Sequence, residues 1–212
     1  MNSPLNDAVL RVIRTASACK PHRLKLLALL ASLAFVAIAT IGFAQNQPFP
    51  AAASVLQPQA YVSIQPVPRS HAFEVAVVAK ISPGFHVNAH EPLEDYLIPT
   101  KVLADLPPGV ALVDTSYPRG VMRGFRFSKT QLRVYEGSFT VRMNLRADAT
   151  APLGPKKIGL TVGYQACNQD ACLPPTKVLL TADLEIAAAN AVAHPANASI
   201  FSTAPAAKSP SQ

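Results

Sequence analysis

At 212 residues the chain has room for one domain with tails or for two very small domains, and with half its residues apolar and 15% charged it is no disordered polyelectrolyte. Its formal charge of +7 suggests a nucleic-acid partner until it is divided along the chain. Five cations and one anion lie in the first 44 residues; the other 14 cations and 11 anions form no Lys/Arg run with interleaved aromatics, which argues against a nucleic-acid surface.

The first element, residues 1–44, reads as a targeting segment. Arg11, Arg14, Lys20, Arg23 and Lys25 precede an apolar stretch from Leu26 to Ala39, and small residues sit at Gly42 and Ala44. That pattern suits a signal peptide cut before Gln45. The 19 uncharged positions of 26–44 also approach the ~20 needed to span a bilayer, so an uncleaved anchor is the competing reading. Cleavage is the preferred one. Either way the remainder is expected to be delivered across a membrane, to a periplasmic or otherwise exported location. If the segment is uncleaved, the protein is anchored in the inner membrane through it.

Residues 45–60 read as a Pro/Ala/Gln linker, and residues 187–212, poor in large apolar side chains, as a disordered tail. The folded domain is then 61–186. Within it the dominant period is two. Phe73, Val75, Val77, Ala79 and Ile81 alternate with more polar neighbours, as do Phe139, Val141, Met143 and Leu145, and again Ile158, Leu160, Val162 and Tyr164. Shorter β-rich runs fall at 61–64, 85–87, 100–103, 110–113, 132–135 and 178–186. Breakers separate them, among them Ser82-Pro83-Gly84, Pro107-Pro108-Gly109 and Glu136-Gly137. Seven to nine short strands without a three-turn helical stretch predict an all-β fold, an antiparallel β-sandwich.

Cys19 belongs to the targeting segment, which leaves Cys167 and Cys172 in a compartment where disulfides persist. An even count suggests that they pair. They flank a four-residue polar turn, Asn168-Gln169-Asp170-Ala171, between two strands, where the ~5.5 Å Cα separation of a disulfide is attainable. A loop this small removes little chain entropy, worth about 2 kcal/mol, whereas structural disulfides of such sandwiches link distant strands. Accessibility and locality therefore favour redox chemistry; a structural staple and metal ligation stay open as alternatives.

Tyr164-Gln165-Ala166-Cys167 followed by Cys172-Leu173-Pro174-Pro175-Thr176-Lys177 resembles the signature of the N-terminal periplasmic domain of the thiol:disulfide interchange protein DsbD. Similar pieces occur at Pro83-Gly84-Phe85-His86-Val87-Asn88, Leu106-Pro107-Pro108-Gly109-Val110 and Tyr135-Glu136-Gly137, so the resemblance covers essentially all of 61–186. It implies an immunoglobulin-like sandwich that shuttles electrons among thioredoxin-like exported proteins. Cys172 would meet the partner and Cys167 would resolve. Tyr164, Gln165, Pro174 and Pro175 would support the pair. In that family the electrons come from a thioredoxin-like module fed across the membrane within the same protein; here, with the sequence ending in the tail, a separate membrane electron donor is expected, and no cofactor. In that family an aromatic cap loop shields the cysteines. The matching segment here keeps Asp114 and Tyr117 but lacks the acidic-aromatic pair between them, and it continues through Arg119 to Phe127. Tyr117, Phe125 and Phe127 are all candidates for the cap, and the arginines around them would favour thiolate.

Other chemistry has less to stand on. His86 and His90 could join the cysteines and Met122 or Met143 around Cu(I). Four residues of strand would hold the two imidazoles ~13 Å apart, so no metal site is expected. No Gly-x-Ser-x-Gly occurs, which argues against a hydrolase, and Glu94-Asp95 reads as loop surface. The two readings that compete with a redox carrier are a binding or scaffold module with a structural disulfide and a copper-handling protein.

Overall fold

The computed structural model describes residues 50–202. The targeting segment 1–44, the start of the expected linker and residues 203–212 lie outside that range. A single 3-10 turn, Ala52–Ser54, precedes fourteen strands. In chain order these are β1 (Leu56–Val62), β2 (Ile64–Gln65), β3 (Val67–Pro68), β4 (Ala72–Ile81), β5 (His86–Asn88), β6 (Lys101–Asp105) and β7 (Val110–Ser116). Then follow β8 (Val121–Arg123), β9 (Leu132–Glu136), β10 (Ser138–Ala147), β11 (Gly154–Tyr164), β12 (Ala166–Cys167), β13 (Thr176–Ala187) and β14 (His194–Pro195). One helical turn, Ala198–Phe201, closes the described chain.

Two four-stranded sheets, β1-β4-β10-β7 and β3-β13-β11-β6, make the sandwich. The period-two pattern explains the layering. Val75 and Val77 of β4, Val141, Met143 and Leu145 of β10, and Ile158, Val162 and Tyr164 of β11 all bury their side chains in one shared core. Each fully buried Val, Leu or Ile contributes about 1.5–3 kcal/mol, so these three strands carry the fold. All strand pairs are antiparallel except β3 with β13, where Ile186 pairs Val67 in parallel. The expected immunoglobulin-like sandwich is what the chain forms.

A third sheet, β12-β5-β9-β8, extends one end of the sandwich. Each of three core strands runs on into it across a single break. β4 turns at Ser82–Phe85 into β5, β9 passes through Gly137 into β10, and β11 passes Gln165 into β12. In the first break Phe85 N–H donates to Ser82 O at 3.1 Å, and Gly84 takes φ +81. Pro83 and Gly84 are the residues this turn geometry wants, one for its fixed φ and the other for its left-handed backbone.

The structure corrects both expected boundaries. Strand β1 begins at Leu56, inside the segment read as linker, and it pairs with β4 from Leu56↔Ile81 to Val62↔Val75. Pro58 hid it, because proline is tolerated on an edge strand with no neighbour beyond, and β1 is such a strand. At the other end, residues 187–202 are ordered without burying large side chains. β14 pairs with β2, Asn197 Nδ2 donates to Val62 O at 3.0 Å, and Ala196 N–H donates to Ser63 O at 2.8 Å. Arg142 Nη2 donates to Ile200 O at 2.6 Å, and its guanidinium lies 5.5 Å from the Phe201 ring centroid. Hydrogen bonds and one cation–π contact hold this segment, and composition does not reveal those. Ending the chain after Ala187 should therefore cost about 2 kcal/mol and lower the melting temperature by about 4–8 °C. An unchanged melting curve by circular dichroism would show that the segment does not hold in solution.

Candidate functional site

The cysteines sit at the tip of a hairpin whose hydrogen bonding sets their approach. Asn168 N–H donates to Ala171 O at 2.9 Å, and Leu173 N–H donates to Ala166 O at 2.8 Å. Cys167 and Cys172, between those two bonded pairs, form a non-hydrogen-bonded pair, the position at which antiparallel chains come closest. Their Cα atoms are 3.9 Å apart and the sulfurs are joined in a disulfide. The separation is shorter than the ~5.5 Å expected because the two residues are direct cross-strand partners. Asn168 closes the turn, its Oδ1 accepting from the amides of Asp170 and Ala171, both at 2.9 Å. An asparagine at the first turn position is the sequence signal for that closure.

The flanking motif residues divide into anchors and surface. Tyr164 is buried and its hydroxyl donates to Ala52 O at 2.8 Å, tying the end of β11 to the start of the fold. Burial raises the Tyr164 pKa above its ordinary value. Gln165 Nε2 donates across the hairpin to Leu173 O at 3.2 Å. Pro174 and Pro175 are exposed. Pro175 lines a groove of about 470 Å³ with Ile98, Leu103, Lys101 and Lys177.

The two cysteines are not equivalent. Cys167 is 1% exposed, whereas Cys172 is an exposed residue. Across the small sheet Cys167 pairs with His86, and His86 pairs with Glu136. Directly opposed residues of antiparallel strands project from the same face, so Cys172, Cys167, His86 and Glu136 form one row. His86 is 3% exposed and stacks on Phe125 with ring centroids 3.9 Å apart. Burial pushes its pKa down to about 4, against a smaller upward pull from Glu136. Glu136 itself is engaged by Arg123 Nε at 2.9 Å. A cleft of about 810 Å³ runs beside this row, with His86, Glu136 and Gln169 in its wall.

Of the three aromatic cap candidates, the structure brings the segment of Phe125 and Phe127 to the cysteine turn. Arg126 N–H donates to Gln169 O at 3.2 Å, and its guanidinium meets Asp170 Oδ1 at the same distance. Phe125 and Phe127 flank that anchor, stacked on each other at 5.4 Å. Asp114 and Tyr117 have other partners. Asp114 Oδ1 accepts from Asn144 Nδ2 at 2.8 Å; the Tyr117 hydroxyl accepts from Val102 N–H at 2.9 Å and its ring stacks on His90 at 3.6 Å. His90 Nδ1 lies 3.0 Å from Thr100 O, so His86 and His90 serve different neighbourhoods. Among the described residues no cluster of three His, Cys, Asp or Glu side chains is arranged to hold a metal ion. From the sequence, His86 is weighed as a metal ligand and Asn168 and Arg126 are only members of a turn and a loop, because cross-strand register is not visible in a linear pattern.

A disulfide at a hairpin tip of an immunoglobulin-like sandwich, with one cysteine buried and the other open, fits the class of thiol–disulfide exchange domains. Residues 52–184 match the family model described as "Thiol:disulfide interchange protein DsbD, N-terminal", and the chain belongs to that family. No curated protein matches the chain. Among solved structures it is similar to the N-terminal periplasmic domain of ScsB from Proteus mirabilis, at 12% identity and a TM-score of 0.45, over 68% of this chain and 49% of that one. The chain thus spans about half the length of that structure. A further similarity is to AggA, the major subunit of aggregative adherence fimbriae type I from Escherichia coli, at 9% identity and a TM-score of 0.27, over 62% of this chain and 96% of that one.

The depressed His86 pKa makes stability depend on pH in a defined window. The unfolded chain takes up the imidazole proton near its ordinary 6.5, the folded chain only near 4. Between those values the unfolded state binds more protons, so stability is complete above about pH 6.5 and is lost as pH falls toward 4. On going from pH 7 to pH 4 the native protein should lose up to about 3 kcal/mol more than a His86→Phe variant. Urea denaturation of both proteins at both pH values checks this, and equal losses would show that His86 titrates normally in the fold.

Proposed function

We propose that this domain is a carrier that passes electron pairs between thioredoxin-like exported proteins through Cys167 and Cys172. Its electrons come from a membrane electron donor, and the domain works in the periplasm, either released from its targeting segment or anchored by it. Among the described residues no helix is long and apolar enough to cross a membrane. The observation that carries the reading is the unequal exposure of the pair: Cys172 open to solvent, Cys167 buried beside it.

Disulfide exchange needs one sulfur that an incoming thiolate can reach in line with the S–S bond, and a leaving sulfur held close enough to return. Exposure assigns the first role to Cys172 and the second to Cys167. Attack on Cys172 gives a mixed disulfide and releases Cys167; the partner's second thiolate then displaces Cys172 and leaves the domain reduced. The reverse sequence delivers the electrons onward. Phe125 and Phe127, fastened to the turn through Arg126, take the capping role for which Tyr117 was also a candidate. The 810 Å³ cleft ending at Gln169 supports docking beside the exposed sulfur.

A Cys167→Ala variant keeps the reachable sulfur and loses the resolving one. It should accumulate a reductant-sensitive covalent complex with a thioredoxin-like protein in exported extracts, and Cys172→Ala should trap at most a tenth as much. Non-reducing electrophoresis with mass spectrometry reads the result. The absence of any adduct from either variant would remove the carrier reading, and trapping by Cys172→Ala alone would reverse the two roles.

Reduction itself should leave the domain folded. The six-residue loop is worth about 2 kcal/mol, while the core strands bury a dozen large side chains independent of it. Circular dichroism at 25 °C in excess dithiothreitol should retain the native β signal; unfolding under those conditions would favour a structural staple.

A further inference from the structure

His86 stands in the one row of the small sheet that also holds the disulfide. Cys172 pairs with Cys167, Cys167 with His86, and His86 with Glu136. Direct cross-strand partners project from the same face with Cβ atoms about 4.5–5.5 Å apart, within the span of an imidazole. The ring has little freedom to turn away, because Phe125 stacks on it at 3.9 Å and only 3% of the residue is exposed.

In this oxidised state His86 Nε2 is buried without a hydrogen-bond partner. Glu136, the neighbour on its other side, is exposed and occupied by Arg123. The other charged groups near the row, Arg126 and Asp170, pair with each other at the surface of the turn. A buried nitrogen left unpaired costs about 1–3 kcal/mol, and disulfide sulfurs carry no hydrogen to offer it. Reduction changes that, since a thiol does.

We infer that His86 is a positioning residue for the exchange: when the disulfide is reduced, the Cys167 S–H donates to the free ring nitrogen of His86, which favours the reduced form and holds Cys167 in place for the return attack. This rests on the carrier reading above and gives its resolving cysteine a partner. The balance is that of dithiol exchange. Two electrons and two protons pass from a partner dithiol. The S–S bond between Cys167 and Cys172 breaks, a new S–S bond forms in the partner, and one of the two protons ends on Cys167 facing His86. The imidazole remains neutral throughout, as burial dictates at neutral pH.

The full-length protein, equilibrated in glutathione redox buffers at pH 7, gives the reduction potential directly. His86→Phe keeps the stacking on Phe125 and removes the nitrogen. It should shift the equilibrium constant about tenfold toward the disulfide, a potential about 30 mV more negative. His86→Leu should shift it in the same direction. In the native protein labelled with nitrogen-15 histidine, the Nε2 resonance of His86 should move between the oxidised and reduced states. A potential unchanged in both folded variants, or an Nε2 resonance indifferent to reduction, would overturn the inference. If neither variant folds, the labelled native protein decides alone. None of these readouts involves a partner, so failure of both cysteine variants to trap one would sink the carrier reading and leave the result for His86 standing.

Discussion

Side chains in a strand alternate faces, so a slip of one residue in pairing would exchange every buried group for an exposed one. The core strands cannot slip. Val75, Val77, Val141, Met143, Ile158 and Val162 fill one interior, and turning any of their strands over would place those groups in water. Because β5, β9 and β12 are continuations of β4, β10 and β11, the register of the sandwich is handed on to the small sheet. The site therefore inherits its geometry. Cys167 faces His86 because Gly137, Gln165 and the Ser82–Phe85 turn carry three well-determined strands one step further. A hairpin on a flexible loop could hold the same disulfide, but it would not hold a particular histidine against it.

What was legible in the residues follows from where period-two alternation is strong. The long strands were readable because each buries four or five alternate side chains, as Phe73 to Ile81 do. The cysteine turn was readable from chemistry, two thiols around a polar loop beside a strand. The short strands β8 and β12 escaped because two or three residues carry no period, and the part of β1 before Tyr61 escaped because Pro58 reads as a breaker until its edge position is known. The tail escaped for a different reason. Asn197, Ala196 and Ile200 are held through backbone groups and by Arg142, and none of those contacts leaves an apolar mark. The cap candidates could be named but not ranked, since the ranking depends on Arg126 reaching Gln169 across 43 positions of sequence.

The charges near the turn also have a different role from the one the residues suggest. Arginines beside a cysteine pair would ordinarily favour thiolate. Here Arg123 is satisfied by Glu136 and Arg126 by Asp170, so each cation is offset by an anion of the same neighbourhood. Both pairs are solvent-exposed, and such pairs contribute at most about 1 kcal/mol. Their use is geometric: the first fixes the end of β8 against β9, and the second pins the aromatic segment to the hairpin.

An all-β site meets a further constraint that thioredoxin-like folds do not. In those folds a helix N-terminus lowers the pKa of the attacking cysteine. Among the described residues the only helical segments are single turns at Ala52–Ser54 and Ala198–Phe201, too short to offer such a helix N-terminus. Arg123 and Arg126, the cations of the aromatic segment beside the turn, are already paired with carboxylates. Under the carrier reading, then, the partner supplies the reactive thiolate when the domain is reduced, and Cys172 serves as the sulfur attacked. In the opposite direction no helix N-terminus is on hand to favour the domain's own thiolate, so exchange onward should depend on how electrophilic the partner disulfide is. Under the carrier reading, such a domain would discriminate among disulfides by their own reactivity. That property suits a protein whose electrons are meant for particular partners in an oxidising compartment.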